Sequence, residues 1–443
     1  MPAGSRAAYR GVEPFFRFFH AFISKPELLF LATLAIILFR PPDLQLYEID
    51  RIAIVVLAYF VVLRVFLKRQ MLRLVPNVNL PLLGLLGFAL FRIFTQPYDV
   101  QSWSVFAAKW LVPFLLFNLA GFVFEDEKSL FKFEVFCWIV LTYLSLIAVF
   151  FLLGWKTFIF PRFILDEGLG IHADRARGPF LQAVANGVAL NLLALIALDS
   201  FRRRRLPKLL AILFFILLPF AILATKTRAV WLSFAISTTA LAVVSKSQRI
   251  RRACSCVVVL AVMSLVIAFA FMKDNRTFSE RFQESSPVEF RLALYQAGWE
   301  MFQEKPLLGW NMAEVQQQLE ERIQEFHQES FYFHNTFLEV SVAYGTVGLA
   351  LYVWLLIDLL RLARRRFPCE VYSRFNGFFD AGFRSLWPML LFVYVLNACF
   401  VVMNYQFVNG LLFTLAGILS AQDRRLQQLI KPASPFLHVG SYA

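Results

Sequence analysis

Charge is scarce in this sequence of 443 residues: 17% are Asp, Glu, Lys or Arg, where an ordinary soluble domain carries roughly 25%. That shortage excludes a water-soluble globular fold. Acidic residues are the scarcer sign, 30 against 44 Lys and Arg, which leaves a net charge of +14. Cysteine is sparse as well, and five residues without framework spacing give no disulfide scaffold. Cys254 and Cys256 stand two apart in an apolar run, so a helix points them to different sides and they do not chelate as a pair. What fills the space instead is apolar: 59% of residues are hydrophobic, with 51 Phe and 9 Trp. Such a chain is not disordered.

Apolar runs long enough to cross a hydrocarbon core of roughly 30 Å recur along the whole length. Twelve are read, near 24–40, 52–68, 79–95, 104–123, 131–153, 181–200, 208–225, 229–245, 253–272, 336–360, 384–402 and 405–421. The first continues into Phe39-Arg40-Pro41-Pro42 without a small-residue cleavage site, so it reads as a span and not as a signal peptide. The expected fold is an all-α polytopic membrane protein. Its parts are nine spans and a short outer loop (154–180) within 1–272, a large partly helical outer loop over 273–335, three spans over 336–421, and a tail over 422–443. No internal repeat of the kind found in many transporters is evident.

The surplus cations set the orientation, because short loops rich in Lys and Arg stay cytoplasmic. Arg202 to Arg205, Lys246 with Arg249, Arg251 and Arg252, Arg361 with Arg364 to Arg366, and Arg424 with Arg425 fall on one side if the spans alternate. Arg6, Arg10 and Arg17, and the loop of Lys68, Arg69 and Arg73, join them. Both termini are then cytoplasmic, and these clusters act as topology anchors with no chemistry. Split among short loops, they do not form the single basic face that nucleic acid requires.

Cations on the outer side run against this bias and need local reasons. Arg228 follows Thr225-Lys226-Thr227 in a connection of almost no length, where it either snorkels or meets an anionic lipid headgroup through its planar fork. Arg177 ends the first outer loop within His172-Ala173-Asp174-Arg175-Ala176-Arg177-Gly178, just before a span. Arg175 is a candidate too, or pairs with Asp174 or Asp166. In the large outer loop, Phe290, Leu294, Ala297 and Met301, and then Met312, Val315, Leu319, Ile323 and Phe326, repeat at helical spacing. These read as two amphipathic helices on the outer membrane surface, separated around Pro306 and Gly309. Arg291 lies near the start of the first, available to a substrate or to a helix-surface ion pair. His334 and Asn335 close the loop, and neighbouring arginines would hold the imidazole neutral. A capping or merely interfacial role is its alternative. His20, His327 and His438 are set aside. Glu48-x-Asp50 is the nearest approach to a metal pair on this face, but helix capping explains it and no metal is expected. Lys109 and Glu134 are the few ionisable groups within spans, the one feature that favours a transporter or flippase.

Four pieces in order then resemble the O-antigen ligase and polymerase superfamily. They are Arg177-Gly178-Pro179-Phe180 with Asn186, Thr227-Arg228-Ala229, Arg291 with Trp299 and Pro306-Leu307-Leu308-Gly309, and Phe333-His334-Asn335 through Tyr344-Gly345 to Gly348. Thr227 stands where Ser is common, Asn311 where a second Gly often lies, and 183–185 lack a frequent Pro. The resemblance implies a glycosyltransferase, most like the ligase, on the periplasmic face of the bacterial inner membrane. The donor would be glycan on undecaprenyl pyrophosphate, the acceptor a sugar hydroxyl of lipid A core, with membrane lipids around and no cofactor. By motif, Arg177 and Arg228 would clamp the pyrophosphate, His334 would be the general base, and Arg291, Arg175 and Asn335 would bind substrate. A polymerase joining lipid-linked repeat units, or a protein O-oligosaccharyltransferase, is the alternative within the same chemistry. A clamp and a base on opposite faces of the anomeric carbon imply inversion without metal.

Overall fold

Away from water a backbone satisfies its donors and acceptors inside one segment only as a helix, and helices are what the apolar runs form. The computed structural model describes residues 24–40, 48–69, 75–95, 97–170, 172–271, 286–323, 331–364, 367–368 and 380–430, and among them there is no strand. Arg6, Arg10, Arg17, Arg73, Phe326, His327, Arg365 and Arg366 lie outside the described residues, as do parts of the large loop and of the tail.

In chain order the helices are α1 (Pro26–Leu38), α2 (Ile49–Leu67), α3 (Pro76–Phe94), α4 (Val100–Val123), α5 (Glu127–Leu152), α6 (Ala183–Arg202), α7 (Lys208–Ala224) and α8 (Arg228–Val244). After these come α9 (Gln248–Phe271), α10 (Ser286–Glu304), α11 (Met312–Arg322), α12 (Thr336–Arg361), α13 (Ala381–Ala398) and α14 (Gln406–Ile430). Each expected span falls on one of them. Six, namely α3, α4, α5, α6, α12 and α13, are long and apolar enough to cross a membrane by length and composition. The chain is a multi-pass membrane protein. Its axial helix is α14, buried without interruption from Phe407 to Gln422, as expected of a helix apolar on all sides. A π-helical turn at Ala107–Leu111 interrupts α4.

The structure adds to the sequence reading at two places. The stripes on α10 and α11 do not rest on a membrane surface. Leu294, Ala297 and Met301 pack with Val315, Leu319 and Ile323, and with Phe331 and Phe333, in a small core of their own. The tenth span is also not one straight helix. Gly345 adopts φ 64° and ψ −164°, which breaks α12 into Thr336–Tyr344 and a remainder. The hairpin between α10 and α11 docks on that break, with Thr346 N–H donating to the Pro306 carbonyl and Trp310 N–H to the Val342 carbonyl, both at 2.7 Å.

The basic clusters form ion pairs. Arg203 pairs with the fully buried Glu134, and its Nε donates to Asp199 at 2.7 Å. Arg202 bridges Asp199 and Asp380, and Arg384 meets Asp423 at 3.1 Å. Carboxylates that deep persist only with such partners. This ion network closes the bundle at the Arg202 end of α6, about 30 Å along the helix from its Ala183 end.

Candidate functional site

At the Ala183 end of α6 three segments meet. The first is a strap over 172–177. Gly178, at φ 56°, lets the chain turn so closely over α6 that a methyl group there would fall 2.9 Å from the Asn186 side-chain oxygen. Asn186 Nδ2 in turn donates to the Ala176 carbonyl at 2.9 Å. Arg177 is fully buried. Its Nε donates to the Ile164 carbonyl at 2.9 Å, and its two terminal nitrogens donate to the carbonyls of Leu169 and Asp166. Burial lowers its pKa from the usual arginine value, yet the guanidinium remains charged. Each of the three guanidinium nitrogens thus bonds a carbonyl and staples the 164–169 segment.

The second segment is the turn between α7 and α8. Ala176 N–H donates to the Ala224 carbonyl at 3.1 Å, and Lys226 Nζ donates to the Asp174 carbonyl, also at 3.1 Å. The Asp174 carboxylate lies 3.7 Å from the same ammonium. Trp231 Nε1 donates back to the Ile222 carbonyl at 2.9 Å, and Thr227 Oγ1 to the Thr225 carbonyl at 3.0 Å. The turn is thus rigid on both flanks, and it delivers Arg228, exposed, at the first position of α8. Arg175 is half-buried on the strap beside it.

The third segment is the corner before α12. Thr336 Oγ1 donates to the Val401 carbonyl at 2.8 Å and accepts from Met403 N–H at 2.9 Å, which fixes the start of α12 against the turn after α13. Asn335 caps the helix, its side-chain oxygen accepting from Phe337 N–H at 2.9 Å and Leu338 N–H at 3.2 Å. That oxygen is committed to the cap, and through it Asn335 orients the corner. His334 is partly buried, at φ 50°. Burial first, then the charges of Arg291 and His172, pull its pKa from 6.5 down to about 4. Tyr295 Oη, one turn beyond Arg291 on α10, donates to the His334 carbonyl at 3.3 Å.

Arg291 is exposed and within electrostatic reach of the imidazole, and His172 brings the strap to the same point. Three of the six non-glycine residues with positive φ, His172, Lys226 and His334, belong to this constellation. Left-handed backbone in such residues costs roughly 1–3 kcal/mol each and concentrates at functional sites. Beneath the corner, Lys109 on the π-helical turn of α4 forms a buried ion pair with Glu339, one turn into α12. Glu134 is equally paired, at the far end. The spans' two isolated ionisable groups are therefore both neutralised within the protein.

Several residues are absent from the motif reading. His172 lies in the quoted loop but carries no helical period to mark it. The partnership of Lys109 with Glu339 joins positions 230 residues apart. Asp50 and Glu48 take separate cations, Arg40 and Arg51, each at 3.4 Å. Among the described residues no group of three or more His, Cys, Asp or Glu gathers as a metal cage would require.

Residues 212–353 match the family model described as Wzy_C, O-Antigen ligase. The matched span contains the α7–α8 turn, α10, the docked hairpin, His334 and the Gly345 break, and excludes the strap. No curated protein matches the chain.

Proposed function

From the match of residues 212–353 to the O-antigen ligase family model, we propose that the protein transfers O-antigen glycan from undecaprenyl pyrophosphate to a sugar hydroxyl of lipid A core. The reaction takes place on the periplasmic face of the inner membrane, and both chain termini are cytoplasmic. The observation that carries the reading is the setting of His334: an imidazole kept neutral by burial and by Arg291, at the corner where the strap also arrives.

The acceptor hydroxyl oxygen attacks the anomeric carbon of the donor glycan, and its proton passes to the neutral His334 imidazole. On the opposite face the bond from that carbon to the pyrophosphate oxygen breaks, and undecaprenyl pyrophosphate leaves with the electron pair. Arg228 and Arg291, both exposed at the site, gather around the charge that builds on the leaving group. Arg175 borders the same anion. Arg177 and Asn335 are positioning residues, one holding the strap and the other the corner. One displacement gives an inverted anomeric centre, and the guanidinium charges make a metal unnecessary.

An imidazole with a pKa of about 4 is a weak base. A bound pyrophosphate supplies negative charge against Arg291 and lifts the cationic field from His334, so the base strengthens when the donor is in place.

The test is transfer by the purified protein from lipid-linked donor to rough lipopolysaccharide in excess chelator. Product is expected; product that appears only on restoring a divalent cation overturns the mechanism. Acceptor choice is read by removing the gene from a smooth bacterium. Bare core with accumulated lipid-linked polymer is expected, and cores bearing a single repeat unit would assign the protein to polymerisation.

A further inference from the structure

An opening lies at this end of the bundle, away from His334. It is a cavity of about 420 Å³ between the end of α3 and the docked hairpin, lined by Arg92, Lys305, Gly309, Asn311 and Glu314. A narrow cleft lined by Arg92, Trp310 and Tyr344 continues from it to the break in α12.

Its charges do not cancel. Lys305 Nζ is 3.0 Å from Glu314 and lies over the Trp310 ring at 3.7 Å. Glu314 is held below the usual carboxylate range, chiefly by its hydrogen bond from Lys305. Arg92 is left over. Its Nη2 is buried and has no hydrogen-bond partner, a costly state for a guanidinium donor unless a ligand completes it. The cavity therefore has room and charge for one anion.

The apolar surroundings say what carries the anion. Leu307 and Leu308, which line the cavity from the hairpin, are 69% and 55% exposed, and Phe91 and Phe94, close to Arg92 along α3, are 62% and 70% exposed. Large exposed apolar side chains next to an excess positive charge, at the end of a membrane-spanning helix, match a headgroup joined to acyl chains. From the functional assignment above, and resting on it, we infer that this cavity is the headgroup site of a phosphorylated lipid and holds the acceptor during transfer. The segment Thr336–Tyr344 separates it from His334 by nine residues, about 13 Å of helix. One pyrophosphate cannot occupy both places, whereas a phosphorylated glycolipid anchored at Arg92 can extend a short saccharide to the imidazole.

Equilibrium dialysis of the full-length protein against radiolabelled dihexanoyl phosphatidic acid tests this. Arg92→Gln is expected to weaken binding roughly 10- to 100-fold, the loss of a charge-assisted hydrogen bond. Dihexanoylglycerol, lacking the phosphate, should not compete. Leu308→Glu, a change on an exposed rim residue, should weaken binding at least about 10-fold by placing a like charge beside the phosphate. It reads the site independently if Arg92→Gln does not fold. Wild-type binding by either folded variant overturns the inference, and so does displacement of the lipid by equimolar inorganic phosphate, which would make this a site for free phosphate. His334→Ala should bind the probe as wild type does. Loss of transfer in that variant and loss of binding in Arg92→Gln are separate results, so failure of one assignment is not mistaken for failure of the other.

Discussion

The backbones of Gly309 and Gly345 lie in contact: a methyl group on Gly309 would fall 2.8 Å from the Gly345 amide nitrogen, and one on Gly345 would fall 2.2 Å from the Leu307 carbonyl oxygen. Both residues have positive φ, 74° and 64°. This contact seats the hairpin on the break in α12, and with it the small core of α10 and α11 that presents Arg291 to His334.

Gly345→Ala should accordingly loosen that outer core without dissolving the bundle. Backbone strain alone costs roughly 1–3 kcal/mol, and the contact with Leu307 adds to it. Limited proteolysis should cut within 286–323 of the variant well before it cuts the wild type. Equal protection in the two proteins would mean the hairpin is held by other contacts.

Lys109→Met leaves Glu339 buried without its cation, which should cost about 3–5 kcal/mol. The double variant Lys109→Met with Glu339→Leu removes both charges and should recover most of that loss in a thermal melt. A double variant no more stable than the single one would show that the pair does more than neutralise itself.

Arg177→Lys and Arg228→Lys should fail in different ways. The first loses donors to the carbonyls of Ile164, Asp166 and Leu169, at about 1.5–3 kcal/mol for each charge-assisted bond. It should expose the 156–170 segment to protease and lower the melting temperature. The second changes an exposed side chain, so melting should stay level while transfer falls, because the ammonium lacks the bidentate fork. A stable, inactive Arg177→Lys variant would restore Arg177 to direct substrate contact.

Local signals explain which of these features the sequence discloses. Each of the twelve apolar runs lies on a helix because span length and hydropathy are properties of contiguous residues. The Gly345 break is not local. It stands inside a run that reads as one span, and only the hairpin arriving from Pro306 to Trp310 gives the left-handed backbone a reason. The apolar stripes of α10 and α11 are legible as stripes, but period alone does not distinguish a lipid surface from a neighbouring helix. Arg177 is conspicuous as a cation before a span, whereas the three carbonyls that occupy it become visible only when the 156–170 segment folds back. Likewise the motif places Asn335 beside His334, and the backbone geometry turns its side chain into a cap.

The pH dependence of stability follows from His334. Its pKa is lowered from 6.5 to about 4 on folding, so between those values the unfolded chain holds a proton that the folded chain does not. Stability should fall as pH drops through that window and level off below about 4. In His334→Gln this contribution should vanish from the melting curve. An unchanged slope would place the acid sensitivity elsewhere.

The most direct measurement is the transfer rate of purified His334→Ala, with lipid-linked donor and rough lipopolysaccharide, beside its melting temperature. Transfer should fall by about 10²–10⁴-fold in a protein that melts and binds donor as the wild type does. Wild-type transfer by the well-folded variant would contradict the assignment of His334 as the base.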